Sequence, residues 1–121
     1  MRDKIQTKGE DLTEYEGMLK LTEFRAKGEL YMGDSFETIL STGANGAIIH
    51  YTATAEECKN LDPNDMILCD SGGHYKDGTT DTTRTIHYSQ PTPYQREMYT
   101  RVLRGNLDYE RFKFPAGRGY S

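Results

Sequence analysis

The sequence predicts an α+β chain with helices packed on one face of a curved, mostly antiparallel sheet. Two segments toward its ends open with a helix-capping pattern and continue with helically spaced apolar residues. Between them lie short runs of β-branched and apolar residues, separated by turn-forming Gly, Asn and Asp.

Residues 1–10 are polar and are expected to be poorly ordered. A first helix is predicted over residues 14–27, with Thr13 capping its amide end and Glu16 reaching back. Tyr15, Met18, Leu19 and Thr22 share one face; Phe24 falls off it, Gly17 costs some helicity and Gly28 is the stop. Residues 38–42 read as a short strand, residues 43–46 (GANG) as a turn and residues 47–51 as a second strand, which together suggest a meander. Residues 52–65 are a polar connection containing Glu56, Glu57, Asp62 and Asp65, broken by Pro63. Residues 66–70 (MILCD) read as a buried strand, continued by His74 and Tyr75. Lys76-Asp77-Gly78 is a turn in which Gly78 takes positive φ, and residues 79–88 are the return strand. A second helix starts with Thr92 as cap, Pro93 in the first turn and Gln95 completing the box. Tyr94, Met98, Val102, Leu103 and Leu107 give it an apolar face. Gly105 weakens it, its end is placed near Arg111, and residues 114–121 form a loose tail.

The 121 residues are read as one domain with a modest core, to which nine Tyr and four Phe supply much of the apolar area. A net charge of −4 gives no reason to expect nucleic-acid binding and suits a cationic ligand. There is no apolar run of about 18 residues for a membrane span, and no signal-peptide pattern. Cys58 and Cys69 do not make a disulfide framework, so a reduced, cytoplasmic setting is the default.

The chemistry concentrates between Asp70 and Asp81. The two predicted strands bring these carboxylates near each other, and close carboxylates repel unless a cation or shared proton lies between them. Hard divalent ions such as Mn²⁺ favour oxygen-rich sites. The plainer alternative is two turn aspartates hydrogen-bonded to Ser71 or to threonine hydroxyls.

The segment Asp70-Ser71-Gly72-Gly73-His74-Tyr75-Lys76-Asp77-Gly78-Thr79-Thr80-Asp81-Thr82-Thr83-Arg84 resembles the two-aspartate signature of the Xaa-Pro aminopeptidases (aminopeptidase P). Residues 35–51, SFETILSTGANGAIIHY, resemble the segment on its amino-terminal side in that family. Residues 99–105 (YTRVLRG) and 114–117 (FPAG) resemble the family's helix and turn on its carboxy-terminal side. The resemblance implies part of a pita-bread fold, in a family that uses two metal ions, usually Mn²⁺. It makes Asp70 a ligand of one metal, Asp81 a bridge between both, and His50 a substrate contact. It assigns nothing to His74 or His87. Arg84 either pairs with a carboxylate near the site or sits on a sheet face, where an ion pair is worth little. Glu56 and Glu57 read as a solvated face.

In the family, one His and two Glu further downstream complete the metal site, and no such segments stand in this sequence. The expectation is therefore a truncated, catalytically inactive half domain with no tightly bound cofactor, in which His50 is vestigial and the site of Asp70 and Asp81 is incomplete. It would act as a homodimeric interaction module through the surface that the other half would cover. Cys58 would form an intermolecular disulfide or remain a plain surface thiol. The alternative is the N-terminal part of the catalytic domain of an active dinuclear Xaa-Pro aminopeptidase, inactive until completed.

Overall fold

A computed structural model of the chain describes residues 12–117; the segment 1–10 and the last four residues of the tail lie outside them. The chain divides after Gln90 into two units. The first contains helix α1 (Glu14–Ala26), strands β1 (Tyr31–Asp34) and β2 (Ile39–Thr42), and a 3₁₀ helix (Gly43–Ala47). It continues with β3 (Ile67–Ser71), β4 (Gly73–Tyr75), β5 (Gly78–Thr79) and β6 (Thr82–Ile86). The second contains helix α2 (Pro93–Glu110).

Both helices begin where their caps predict. Thr13 Oγ1 accepts from the Glu16 amide at 3.1 Å, while the Glu16 carboxylate accepts from the Thr13 amide at 3.0 Å. Thr92 and Gln95 repeat the exchange at 3.2 and 2.9 Å. The buried face of α1 keeps Met18 of the predicted Tyr15, Met18, Leu19 and Thr22 stripe but leaves Leu19 half exposed. Glu14 and Gly17 are buried, and Met18 and Leu21 pack against a core of Leu40, Leu61 and Ile67. Leu19 and Phe24 stay half exposed, with the Lys20 and Lys27 ammonium groups 5.8 and 5.0 Å from the Phe24 ring centre. The face shifts because the carboxylate of Glu14 finds enough donors to be buried, which a polarity pattern cannot register.

Two three-stranded antiparallel sheets have the orders β2-β3-β6 and β1-β4-β5. They are joined by one long bent hairpin. Ser71 pairs with Thr82 in the first sheet and His74 with Thr79 in the second, so the register runs unbroken through the bend. The predicted return strand, residues 79–88, is accordingly cut in two at Thr80 and Asp81 and ends at Ile86. Close packing at Gly72 and Thr80 forces the break. The Ser35 amide donates to the Gly72 carbonyl at 3.2 Å, and the Ser35 hydroxyl donates to the Thr80 carbonyl at 2.9 Å. The hairpin tip is Lys76-Asp77. Gly78 pairs with Tyr75 as a strand residue and does not take the positive φ predicted for it.

Strand β1 is an addition to the predicted elements. It pairs with β4, with a bulge between Tyr31 and Gly33, and the Tyr31 and Tyr75 rings meet edge to face at 5.7 Å. Its sequence, YMGD, carries a Gly and an Asp, both poor strand formers. An ionic pin fixes it to α1. Arg25 Nη2 donates to Asp34 at 3.0 Å and to Thr38 Oγ1 at 2.6 Å, and Asp34 also accepts from Thr22 and Tyr31 at 3.1 and 2.9 Å. Burial pushes the Asp34 carboxyl up, but the donors from Tyr31, Arg25 and Thr22 outweigh it and hold the group below the usual carboxylate range.

In the second unit the apolar face predicted for α2 is present, and no residue of the helix is buried. Val102 is 74% exposed and Tyr94 70%. Beyond the helix the Phe112 and Phe114 rings stack at 6.4 Å.

Candidate functional site

The segment expected as the second strand of a meander, residues 47–51, is not a strand. The chain leaves β2 into the 3₁₀ helix and then makes a tight turn, Ile48-Ile49-His50-Tyr51, closed by the Tyr51 amide donating to the Ile48 carbonyl at 3.3 Å. His50 occupies the third position with φ +56°, a conformation that favours glycine or asparagine. Glu14, at the start of α1, is 0% exposed. Its carboxylate accepts from the Thr42 amide at 2.8 Å, the Lys59 amide at 3.0 Å, the Asn45 side chain at 3.1 Å and the Tyr51 hydroxyl. These bonds tie residues 42–59 to the start of α1. Burial raises the Glu14 pKa, but the donors, Tyr51 foremost, carry it below the ordinary value. Burial and the adjacent carboxylate push the Tyr51 phenol up to about 12.

Asp70 stands on β3 between Ile39 and Thr83. Asp81 lies in the bend, and the continuous register sets it across from Gly72. Asp70 and Asp81 are therefore diagonal neighbours on the same face of the hairpin, within mutual reach. Asp70 Oδ1 is buried with no hydrogen-bond partner. Among the described residues neither aspartate shows a side-chain hydrogen bond, so the Ser71 and threonine contacts of the plainer reading are not formed. Both carboxylates line an open cleft of about 370 Å³, together with His50, Thr52, Glu37, Phe36 and Ile39. The last four are additions to the predicted site, although Phe36, Glu37 and Ile39 lie within the SFETI segment that carried the resemblance.

The other candidates stand apart from this cleft. A His74 ring nitrogen hydrogen-bonds Thr79 Oγ1 at 2.8 Å near the hairpin tip, and His87 Nδ1 accepts from the Ser89 amide at 3.1 Å. Arg84 is exposed opposite Cys69 and forms no ion pair among the described residues. Glu56 and Glu57 are exposed. Cys58 is half-buried rather than on an open loop surface, and both cysteines are free. Burial pushes the Cys69 thiol up.

A buried carboxylate oxygen without a partner, beside a second carboxylate, fits one side of a hard-metal ligand shell. Among the described residues no group of three or more His, Cys, Asp or Glu could enclose an ion.

The sequence matches metallopeptidase family M24 over residues 1–120. The chain belongs to metallopeptidase family M24. Its relatives include the probable Xaa-Pro aminopeptidase P of Pyrenophora tritici-repentis, 51% identical over 97% of this chain and 20% of that protein. The protein of the same description from Arthroderma otae is 52% identical over 100% of this chain and 20% of its own length. The M24 chain thus spans about a fifth of the curated relatives it matches. Its fold matches part of X-prolyl aminopeptidase from Caenorhabditis elegans, described as a cytosolic enzyme with a di-nuclear active site. There the TM-score is 0.83 at 36% identity, covering 96% of this chain and 19% of that one. Two Escherichia coli aminopeptidase P variants match at 34% identity with TM-scores of 0.67 and 0.68, over 87% of this chain and 23% of theirs. Each replaces one aspartate by alanine, at positions eleven apart, the spacing of Asp70 and Asp81. The α+β architecture expected from the resemblance is therefore present, as a portion of the pita-bread fold. Among the described residues no helix is long and apolar enough to cross a membrane.

Proposed function

We propose that this M24 chain is the N-terminal part of the catalytic domain of an Xaa-Pro aminopeptidase, supplying two carboxylates of its metal site and one substrate-facing histidine. The observation that carries this reading is the unpartnered, buried Oδ1 of Asp70 in one cleft with Asp81 and His50. Asp70 would hold one divalent ion through that oxygen, and Asp81, exposed in the bend, would reach both ions of a pair. Such a pair, when bound, supplies Lewis acidity at the scissile carbonyl. His50 presents its ring to the cleft, where an imidazole N–H can hydrogen-bond a substrate carbonyl oxygen. Phe36 and Ile39 give the cleft an apolar lining against which a proline ring could pack.

The relatives are peptidases of which this chain spans about a fifth. That supports a contributing part over the self-sufficient, inactive homodimer expected from the sequence. The exposed residues of α2 and the Ile48–Ile49 turn are the kind of surface the remaining four-fifths of such a chain would cover.

The test combines metal titration with complementation. Mn²⁺ should bind this chain weakly, on the order of millimolar, and Asp70→Asn or Asp81→Asn should abolish that binding. The chain alone should not cleave an Xaa-Pro peptide. The chain joined to the carboxy-terminal remainder of the Caenorhabditis elegans enzyme should cleave it. Turnover by the chain alone, or Mn²⁺ binding indifferent to both aspartates, would overturn the proposal.

A further inference from the structure

We propose that Glu14 is a positioning residue for the substrate-facing turn, its buried carboxylate holding His50 against the cleft through Tyr51 and Asn45. The inference rests on the proposed role of the cleft, but its physical basis is separate. Four donors from residues 28 to 45 positions away in sequence converge on this one carboxylate. Thr42 precedes the 3₁₀ helix and Lys59 lies within the polar connection, so Glu14 ties together two points of the chain on either side of His50. Tyr51, bonded to Glu14, is the residue immediately after it. His50 stands at φ +56°, a region uncommon for any residue with a side chain although histidine enters it more readily than most, and the conformation costs about 1–2 kcal/mol. A conformation of that cost persists only where its surroundings over-determine it, and the bonds to Glu14 are what determine it here. A carboxylate is the required group. Two amide N–H donors, a side-chain NH₂ and a hydroxyl face it, so the NH₂ half of a glutamine would meet a donor on at least one side.

The inference is tested by nuclear magnetic resonance on the full isotope-labelled chain, with Mn²⁺ as a paramagnetic probe. In the wild type, Mn²⁺ should broaden the resonances of both Asp70 and His50. In Tyr51→Phe, Asp70 should still be broadened, while His50 should lose most of its broadening. The amides of residues 48–52 should exchange about tenfold faster or more, since the variant removes both part-buried hydrogen bonds of the Tyr51 hydroxyl, the one it donates to Glu14 and the one it accepts from Asn45. Glu14→Gln should do the same more severely; if it fails to fold, Tyr51→Phe decides. A control of comparable destabilisation in the core, Met18→Ala, should leave the His50 broadening unchanged. His50 broadening and exchange in Tyr51→Phe equal to the wild type would overturn the inference. Absence of Mn²⁺ broadening at Asp70 in the wild type would instead count against the metal-site reading. The exchange data would still decide whether Glu14 holds the turn.

Discussion

Gly72 passes so close to Thr80 that a Cβ on the glycine would lie 1.9 Å from the Thr80 carbonyl oxygen and 2.5 Å from Ser35 Oγ. No side-chain rotation relieves a contact with backbone. This approach accompanies the bend of the long hairpin from one sheet into the other, with Asp81 in the bend and Asp70 beside it on β3. Gly72→Ala should therefore cost about 3 kcal/mol or more, at the upper end of overpacking effects. It should also separate the two carboxylates. Urea denaturation reads the first effect and Mn²⁺ titration the second. A variant with near-wild-type stability would mean that the hairpin can shift by more than about 1 Å without loss.

His50 sits in the left-handed region on an exposed turn. If its backbone is strained for the sake of the ring, His50→Gly should remove that strain. Relief of about 1–2 kcal/mol is offset by the backbone entropy of glycine, about 0.5–1 kcal/mol. The urea midpoint should thus stay level or rise, while the histidine contribution to the cleft disappears. A clear loss of stability would mean that contacts of the ring outweigh the backbone strain.

Much of this architecture is legible in the sequence because it is local. Thr13 with Glu16 and Thr92 with Gln95 mark both helix starts within a few residues of chain. The core strand at Ile67 announces itself by a run of apolar side chains, while His50, Asp70 and Asp81 are picked out by the family resemblance and not by local pattern. What escapes the sequence depends on distant partners. A tight turn replaces the strand predicted over residues 47–51 where Glu14, remote in sequence, collects donors from Thr42, Asn45, Tyr51 and Lys59. The break at Thr80–Asp81 replaces a continuous strand because Ser35 and Gly72 close on Thr80. Strand β1 escapes because its Gly33 and Asp34 are unfavourable for a strand, and it is held by pairing with β4 and by Arg25 rather than by propensity.

The Arg25–Asp34 pair, with side chains 12% and 29% exposed, should matter more than an ordinary surface ion pair. Asp34 collects Thr22, Arg25 and Tyr31, and Arg25 extends the link to Thr38 beside the cleft wall. Asp34→Ala leaves the Arg25 guanidinium with fewer partners, and one of its nitrogens, Nη1, is already buried without one. A loss of about 1–3 kcal/mol is expected, the range for hydrogen bonds to charged groups. Denaturation of Asp34→Ala beside the exposed-pair variant Glu97→Ala, expected to lie within about 0.5 kcal/mol of wild type, measures the difference. Equal stabilities would show that the Arg25–Asp34 pin adds nothing to the packing of α1 against β1.

The Glu14–Tyr51 hydrogen bond gives the chain two limbs of pH dependence with opposite signs. The Glu14 pKa is lowered in the folded chain from an ordinary value of 4.5. The unfolded state then binds the proton more readily, so this contribution is fully present above pH 4.5 and is lost as pH falls through the folded value. Tyr51 behaves in the reverse sense, with a phenol raised from 10.0 to about 12. Its contribution is fully present below pH 10.0 and disappears as pH climbs to about 12. Asp34, also lowered, adds to the acid limb but not to the alkaline one. Subtracting the unfolding free energy of Tyr51→Phe from that of the wild type at each pH isolates the tyrosine. The difference should be flat through neutrality and shrink above pH 10.0. The same subtraction with Glu14→Gln should leave a difference that shrinks below pH 4.5. A difference constant at both extremes would mean that neither proton is coupled to folding and that the bond is carried by shape alone.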